Sequence, residues 1–317
     1  MQVLVTGAQG FVGQALVRSL LHCDHVRVSA AIRRPDPAWE LPVPLAFVGE
    51  MDSKACWSQS LSGIDVVIHA AARVHQSREW GEDALRRFRE VNVQGTLNLA
   101  RQAAASGVRR LVFISSIKVN GECSGTRPFS PADRPCPTDY YAISKTEAEQ
   151  ALMTVAAQTG MEVVIIRPVL VYGPGVRANF HSMMRWLARR VPLPLGAINN
   201  KRSLVSLDNL VDFIRICMVH PAAANEVFLV SDGEDLSTPQ ILQRLGQAMG
   251  RPARLVPLPG VMLRVAARLL GKKHLAQRLC DSLQVDITKN DQLLGWQPPV
   301  AVDAALQKTA DHFLEHQ

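Results

Sequence analysis

Short, uninterrupted apolar runs punctuate the first half of the chain, and longer stretches between them repeat their apolar residues every three or four positions. Val3–Val5, Val26–Ile32, Ala46–Val48, Asp65–His69, Leu111–Ile114 and Val163–Ile166 are runs of the first kind and predict buried strands. Phe11–Leu21, with apolar positions at 12, 15, 16 and 20, predicts a helix, as do a segment near 83–105 and one from Tyr141 to about Ala157. Strands alternating with helices imply parallel pairing through crossovers, which is an α/β, Rossmann-type doubly wound parallel sheet.

The pattern changes after Tyr172-Gly173-Pro174-Gly175. Beyond it the chain is rich in Pro and Arg, and shorter elements follow at Phe180–Arg190, Leu210–Val219, Pro239–Met249, Gly260–Leu270 and Val302–His316. We expect a cofactor-binding domain over 1–175 and a smaller, mostly helical substrate lobe over 176–317, with some late segments returning to the first domain. The stretch 261–270 is basic and amphipathic; it reads as a packed surface helix rather than a membrane contact, because nothing else in the chain points to lipid.

Charge sharpens this picture. The net charge of +7 fits either nucleic acid or a cleft for anionic small molecules, and an aromatic content of only 5% provides few stacking platforms for bases. No apolar run reaches the roughly eighteen residues a membrane span requires. The first strand begins within three residues of Met1, leaving no room for a leader peptide. Six scattered cysteines contain no C-x-x-C, and nine histidines contain no H-x-x-x-H. A cytoplasmic protein with reduced thiols, no metal, no nucleic-acid partner and no membrane insertion is therefore expected.

Chemistry concentrates in two places. Gly7-Ala8-Gln9-Gly10-Phe11-Val12-Gly13 follows the first strand and opens the first helix. Gly7 permits a tight turn, Gly10 lets backbone approach phosphate, and Gly13 brings helix close to strand, while free amides at the helix start hold a pyrophosphate. The second strand ends in Ile32-Arg33-Arg34, with Asp36 beyond it. Two guanidiniums there favour NADP(H); a solvated basic turn with Asp36 reaching the ribose is the NAD(H) alternative. Asp52 or Glu50 is placed to meet the adenine amine, and the small run Ala70-Ala71-Ala72 lets backbone approach the cofactor.

Tyr141 and Lys145 stand one helical turn apart on one face. An ammonium favours the phenolate of a neighbouring tyrosine, and the same lysine can hold ribose hydroxyls. Tyr140 lacks such a partner, since Ser144 lies four residues on. Ser116, after the strand Leu111–Ile114, is placed to donate to a substrate oxygen as charge develops, with Ser115 as the fallback.

Thr6–Gly13, Asp65–Ala72, Asn92–Thr96, Phe113–Gly121, Tyr141–Lys145, Arg167–Pro174, Arg202–Leu210 and Leu294–Pro298 together make the chain resemble the extended short-chain dehydrogenase/reductases acting on nucleotide sugars. That resemblance implies Ser116, Tyr141 and Lys145 as the catalytic trio, a substrate contact from Asn179 and a diphosphate contact from Arg202. It also implies a homodimer built on the helices near 83–105 and 141–157.

Departures narrow the reaction. Dehydratases of that group carry an acid directly after the catalytic hydroxyl residue, where this chain has Ile117 and then Lys118, which speaks against water elimination. Lys118 can reach a substrate phosphate or carbonyl, or stand in solvent. Arg33 and Arg34 favour an NADPH-dependent reductase, and the serine loop 115–121 resembles that of bacterial enzymes that reduce a UDP-4-keto-6-deoxy-N-acetylhexosamine to a quinovosamine-type sugar for surface polysaccharide. The alternative is an NAD-dependent 4-epimerase of a UDP-hexose or UDP-N-acetylhexosamine. A non-catalytic NADP(H)-sensing protein ranks last, because such proteins usually lose the Tyr or the Lys.

Overall fold

The computed structural model describes residues 1–35, 37, 39–74, 81–269, 271 and 273–316. Its first half runs β1 (Gln2–Thr6), α1 (Phe11–Leu21), β2 (Arg27–Ile32), β3 (Leu45–Phe47), α2 (Ser58–Leu61), β4 (Val66–His69), α3 (Glu82–Arg89), α4 (Thr96–Ala105), β5 (Arg110–Ile114), α5 (Tyr140–Thr159) and β6 (Glu162–Pro168). The second half adds β7 (Leu170–Tyr172), α6 (Ala178–Ala188), β8 (Arg202–Ser206), α7 (Leu207–Val219), β9 (Val227–Val230), β10 (Asp235–Leu236), α8 (Thr238–Ala248), α9 (Gly260–Leu269), α10 (Lys273–Cys280), α11 (Thr288–Leu294) and α12 (Val302–Glu315).

Seven strands form one sheet in the order β3-β2-β1-β4-β5-β6-β9, parallel throughout. The sequence predicts the doubly wound sheet correctly. Its strands are apolar along their length because both faces are covered. Val3 and Val5 of β1, with Val66 and Ile68 of β4, point into a core shared with Leu16, Val17 and Leu20 of α1; Leu4 and Val67 point into the opposite core with Leu99, Ala148 and Leu152. Winding reverses between β1 and β4, so the loops leaving these strands diverge around a crevice at their carboxyl ends, where ligands of such sheets bind.

Two departures from the sequence pattern bear on function. The segment near 83–105 is not one α-helix: a π-helical turn, Glu90–Gly95, separates α3 from α4. Such turns re-aim side chains, and here buried Asn92 reaches inward. Gly95 permits the packing, since a Cβ there would stand 2.5 Å from the Met51 carbonyl oxygen. Second, the chain crosses back after residue 176. Strand β9 pairs with β6, and α7 packs on α1, while β7, β8 and β10 form a separate three-stranded sheet. A second core of Tyr172, Phe180, Met184, Leu242, Leu245, Leu306 and Phe313 lies under that smaller sheet, and Phe11 packs against both cores.

His69 ends β4 at the centre of the sheet with no solvent exposure. Its ring hydrogen-bonds Thr6 Oγ1 through Nδ1 at 2.6 Å and Thr96 Oγ1 through Nε2 at 2.8 Å. Burial, helped by the nearby Lys145 ammonium, lowers its pKa to about 3. A depressed histidine contributes its full stability above about pH 6.5, the unfolded value, and loses it progressively as pH falls toward 3. Between pH 7 and 5 the wild type should therefore lose about 2 kcal/mol that a His69→Gln variant, with no ring to titrate, retains. Urea unfolding of both proteins at the two pH values should show that narrowing gap; parallel curves would assign the acid sensitivity elsewhere.

Candidate active site

The loop after β1 and the loop after β4 meet across the crevice. Gly7 has a φ of +68° and sits so close to the second loop that a Cβ would lie 2.6 Å from the Ala71 amide nitrogen. Gly13 is tighter still, 2.2 Å from the Gly7 carbonyl oxygen. Gly10 leads into α1 with no side chain capping the helix, so the amides of its first turn face outward toward the crevice mouth without a local side-chain acceptor. The cavity alongside measures about 590 Å³ and is walled by Gly7, Gln9, Gly10, Ile32, Arg33, Glu50, Trp57, Ala70, Ala71, Ala72 and Arg73. The indole Nε1 of Trp57 is buried on that wall with no hydrogen-bond partner. A glycine turn, a helix start without a side-chain cap and an orphan donor are what an extended dinucleotide would use, and these residues fit one.

At the far end of this cavity Glu50 takes both arginines: Arg33 Nη1 lies 3.5 Å and Arg34 Nη2 3.2 Å from its carboxylate. The sequence reading of these guanidiniums as a site for an extra phosphate thus meets a competing carboxylate. A carboxylate already occupies them, and its charge opposes a second anion at the same place. Asp36 lies outside the described residues. Asp52 is not on the cavity wall; its carboxylate accepts the Lys54 amide proton, which leaves Glu50 as the acid facing the cavity. Phe11, Val12 and Gly13 belong to the opening turn of α1 rather than to the wall.

Helix α5 carries the predicted pair. Asp139 caps it, accepting the Ala142 amide proton at 2.7 Å. Tyr141 is half-buried with its ring edge-on to Phe88 at 6.5 Å. Burial, reinforced by the Asp139 carboxylate, raises its phenol well above the ordinary tyrosine range. Lys145 is 1% exposed; its Nζ donates to the Ile114 carbonyl at 2.8 Å and stands 4.2 Å from the Phe113 ring centre. Burial lowers that ammonium to about 7, with the Glu149 carboxylate opposing the shift. One turn beyond Lys145, buried Glu149 accepts two hydrogen bonds from Arg167 Nε and Nη2, the shorter 2.6 Å. Arg167 Nη1 donates to Asn120, and the Ser115 hydroxyl donates to Glu149.

That network separates the two candidate serines. Ser115 is buried and committed to Glu149, whereas Ser116 opens the short helical turn Ile117–Val119 and faces a second cavity of about 390 Å³. Lys118, Asn179 and Arg202 line the same cavity, so all four predicted substrate contacts share one wall. Lys118 is not a solvated lysine: its Nζ is 2.5 Å from Asp139 and 3.2 Å from Glu122. Arg202 donates to the Asp281 carbonyl, and burial lowers its guanidinium from the usual range. Tyr141 and Lys145 line neither cavity, but α5 touches the frame of both. Lys145 holds Ile114 just before Ser116, and Ser144 accepts from Asn92, which also pairs with the backbone of Arg73 on the dinucleotide side.

Residues 3–231 match the NAD dependent epimerase/dehydratase family. The chain belongs to that family. It is 46% identical to a UDP-glucose 4-epimerase of Vibrio cholerae over 99% of this chain and 95% of the relative. An N-acetyl-alpha-D-glucosaminyl-diphospho-ditrans,octacis-undecaprenol 4-epimerase of Escherichia coli O157:H7 is 27% identical over 99% of this chain and 96% of that one. Among solved structures, a UDP-glucuronic acid 4-epimerase from Bacillus cereus in complex with NAD shares the fold, with a TM-score of 0.79 at 22% identity, covering 100% of this chain and 99% of that one.

Several residues in or around the site of this family member escaped the sequence reading. Asn92 was visible only as part of a matched segment; an Asn three residues before a Gly inside a helical run was its one signal. Glu122, Trp186 and Arg278 also line the second cavity, and Arg278 comes from α10, far from Arg202 in sequence. Among the described residues no group of three or more His, Cys, Asp or Glu could hold a metal ion, and no helix is long and apolar enough to cross a membrane.

The pairing of Glu50 with both arginines makes a direct prediction. Glu50→Gln should release the guanidiniums and improve NADP binding relative to NAD by about tenfold, the scale of one charge-assisted contact. Titration of tryptophan fluorescence with each dinucleotide measures the ratio. An unchanged ratio would mean that Glu50 plays no part in cofactor choice.

Proposed function

We propose that this protein is an NAD-dependent 4-epimerase of a UDP-hexose or UDP-N-acetylhexosamine. The observation that carries the reading is the 46% identity over almost the whole chain to a UDP-glucose 4-epimerase. The site agrees with it. The Glu50 carboxylate beside Arg33 and Arg34 disfavours the extra phosphate of NADP, which supports the NAD reading over the NADPH-dependent reductase. Ile117, buried beside Ser116 on the cavity wall, has no proton to give, so elimination of water has no acid at the position where the dehydratases carry one.

When bound in the glycine-turn cavity, the dinucleotide supplies a hydride acceptor and donor. The remaining work falls to side chains of this chain. Tyr141 takes the proton from the C4 hydroxyl and later returns it. Ser116 donates a hydrogen bond to the same oxygen while it carries charge. Arg202, with Arg278 on the same wall, holds the diphosphate through charge-assisted hydrogen bonds, which leaves the hexose able to present either face of C4. Asn179 and Lys118, which line the same cavity, contact the sugar or its phosphate.

Lys145 sets the pH at which this works. Removing one proton from the Tyr141–Lys145 pair produces the active state whichever of the two held it, so the apparent pKa belongs to the pair. Burial brings the ammonium down to about 7. The proton thus leaves far below the range of a free phenol, and the buried phenolate–ammonium form is the one that accepts the C4 proton.

Purified protein should interconvert C4 epimers of UDP-glucose or UDP-N-acetylglucosamine without added nucleotide cofactor, and Tyr141→Phe should fold normally but lose roughly a thousandfold in turnover. Turnover seen only when NADPH and a 4-keto sugar are both supplied would restore the reductase reading. In the same assay log kcat/KM should rise with pH through an ionisation near 7. Lys145→Met should move that ionisation upward and out of the neutral range, since the buried phenol then titrates without the ammonium. An identical profile in the variant would remove Lys145 from proton transfer.

A further inference from the structure

Helix α9 packs on the surface through one side only. Leu263 turns inward against the second core, but Val261, Met262, Val265 and Leu269 stand on the other side with exposures of 68%, 56%, 54% and 83%. Their spacing puts them in one stripe along the helix, with exposed Arg268 beside them and exposed Arg264 at its inner edge, where it pairs with Asp281. Single exposed apolar residues are ordinary; four on two turns of one helix are not.

The segment that carries the stripe is basic in sequence, although Arg244 pairs with Glu234 and Asp303 and Arg264 with Asp281. From Leu236 to Cys280 the sequence has no Asp or Glu and eight Lys or Arg, a larger excess than the net +7 of the whole chain. Helix α9 packs against α10, whose Gln277, Arg278 and Leu279 form part of the wall of the second cavity. The apolar stripe thus lies on a helix packed against one that lines the second cavity.

We propose that this face of α9 docks on the headgroup layer of an anionic phospholipid bilayer, with Val261, Met262, Val265 and Leu269 entering the interface and the basic residues meeting lipid phosphates. Charge decides between the candidate occupants. A second copy of the chain would bring two acid-free basic segments together, and like charges in apposition oppose that contact. A nucleic acid would offer phosphates to the arginines but nothing to four aliphatic side chains, which have no ring on which a base could stack. An anionic bilayer satisfies both halves. The consequence is positional: the second cavity comes to lie near a membrane surface, and the substrate or product is handled there.

Sedimentation of the full chain with vesicles tests this without reference to catalysis. Vesicles with about one phosphatidylglycerol in three lipids should bind the protein at least tenfold better than phosphatidylcholine alone, since each basic residue near an anionic leaflet contributes roughly fivefold. Raising the salt should weaken binding, as screening requires. A Val265→Asp, Leu269→Asp double variant should remain in the supernatant while keeping its melting temperature and its turnover of a soluble nucleotide sugar. No binding of the wild type to the anionic vesicles, or equal binding by the double variant, would overturn the proposal. A change of oligomeric state in the variant on gel filtration would assign the stripe to a second copy instead, and overturn it too.

Discussion

The buried ion pair between Arg167 and Glu149 holds the parts of the site in one frame. It joins the end of β6 to the middle of α5, and through Ser115 and Asn120 it also fixes the loop that leaves β5. The side chains of the pair are 5% and 6% exposed, so neither charge can find water if the other is removed. Breaking such a pair leaves an uncompensated charge and costs roughly 3–5 kcal/mol. Its arrangement also has a local effect. Because Ser115 is drawn inward to Glu149, the next residue in the extended chain points the opposite way, and Ser116 faces the second cavity.

A second constraint is electrostatic. Lys145 carries its charge into a nearly dry place, where a carbonyl, a ring face and the Glu149 carboxylate compensate it only in part. Burial pulls the ammonium down while it pushes the Tyr141 phenol up, so the resting site disfavours charge on both groups. His69 nearby stays neutral for the same reason and contributes hydrogen bonds, not charge. Low dielectric around these three groups makes proton position responsive to whatever charge next enters the site.

Much of this was legible from local pattern. Apolar runs located the strands because a sheet covered on both faces needs them, and the glycine spacing located the crevice because three backbones meet where no Cβ fits. Tyr141 and Lys145 were legible because helical spacing puts them on one face. What escaped depends on residues distant in sequence. Nothing near Arg33 and Arg34 says that Glu50 will return to neutralise them, and nothing near Arg202 points to Arg278. The π-helical turn was hidden because its hydrogen-bond shift leaves the helical period almost intact; only Asn92 and Gly95 mark it. Strand β9 was absorbed into the second lobe because a short apolar run between two helices carries no sign of which sheet it joins. The stripe on α9 was hidden for a related reason: amphipathic period shows that one face is apolar, but not whether a core covers it.

The central claim is that a hydrogen leaves C4 of the sugar and returns to C4 within one closed site. The direct measurement is to give the purified protein a UDP-sugar deuterated at C4, in ordinary water with excess unlabelled NADH in solution, and to read the product by NMR. The account predicts that the epimeric product retains the deuterium at C4. Hydrogen in its place, or label appearing in the dissolved dinucleotide, would contradict it and mark the protein as an enzyme that draws on an exchanging cofactor pool.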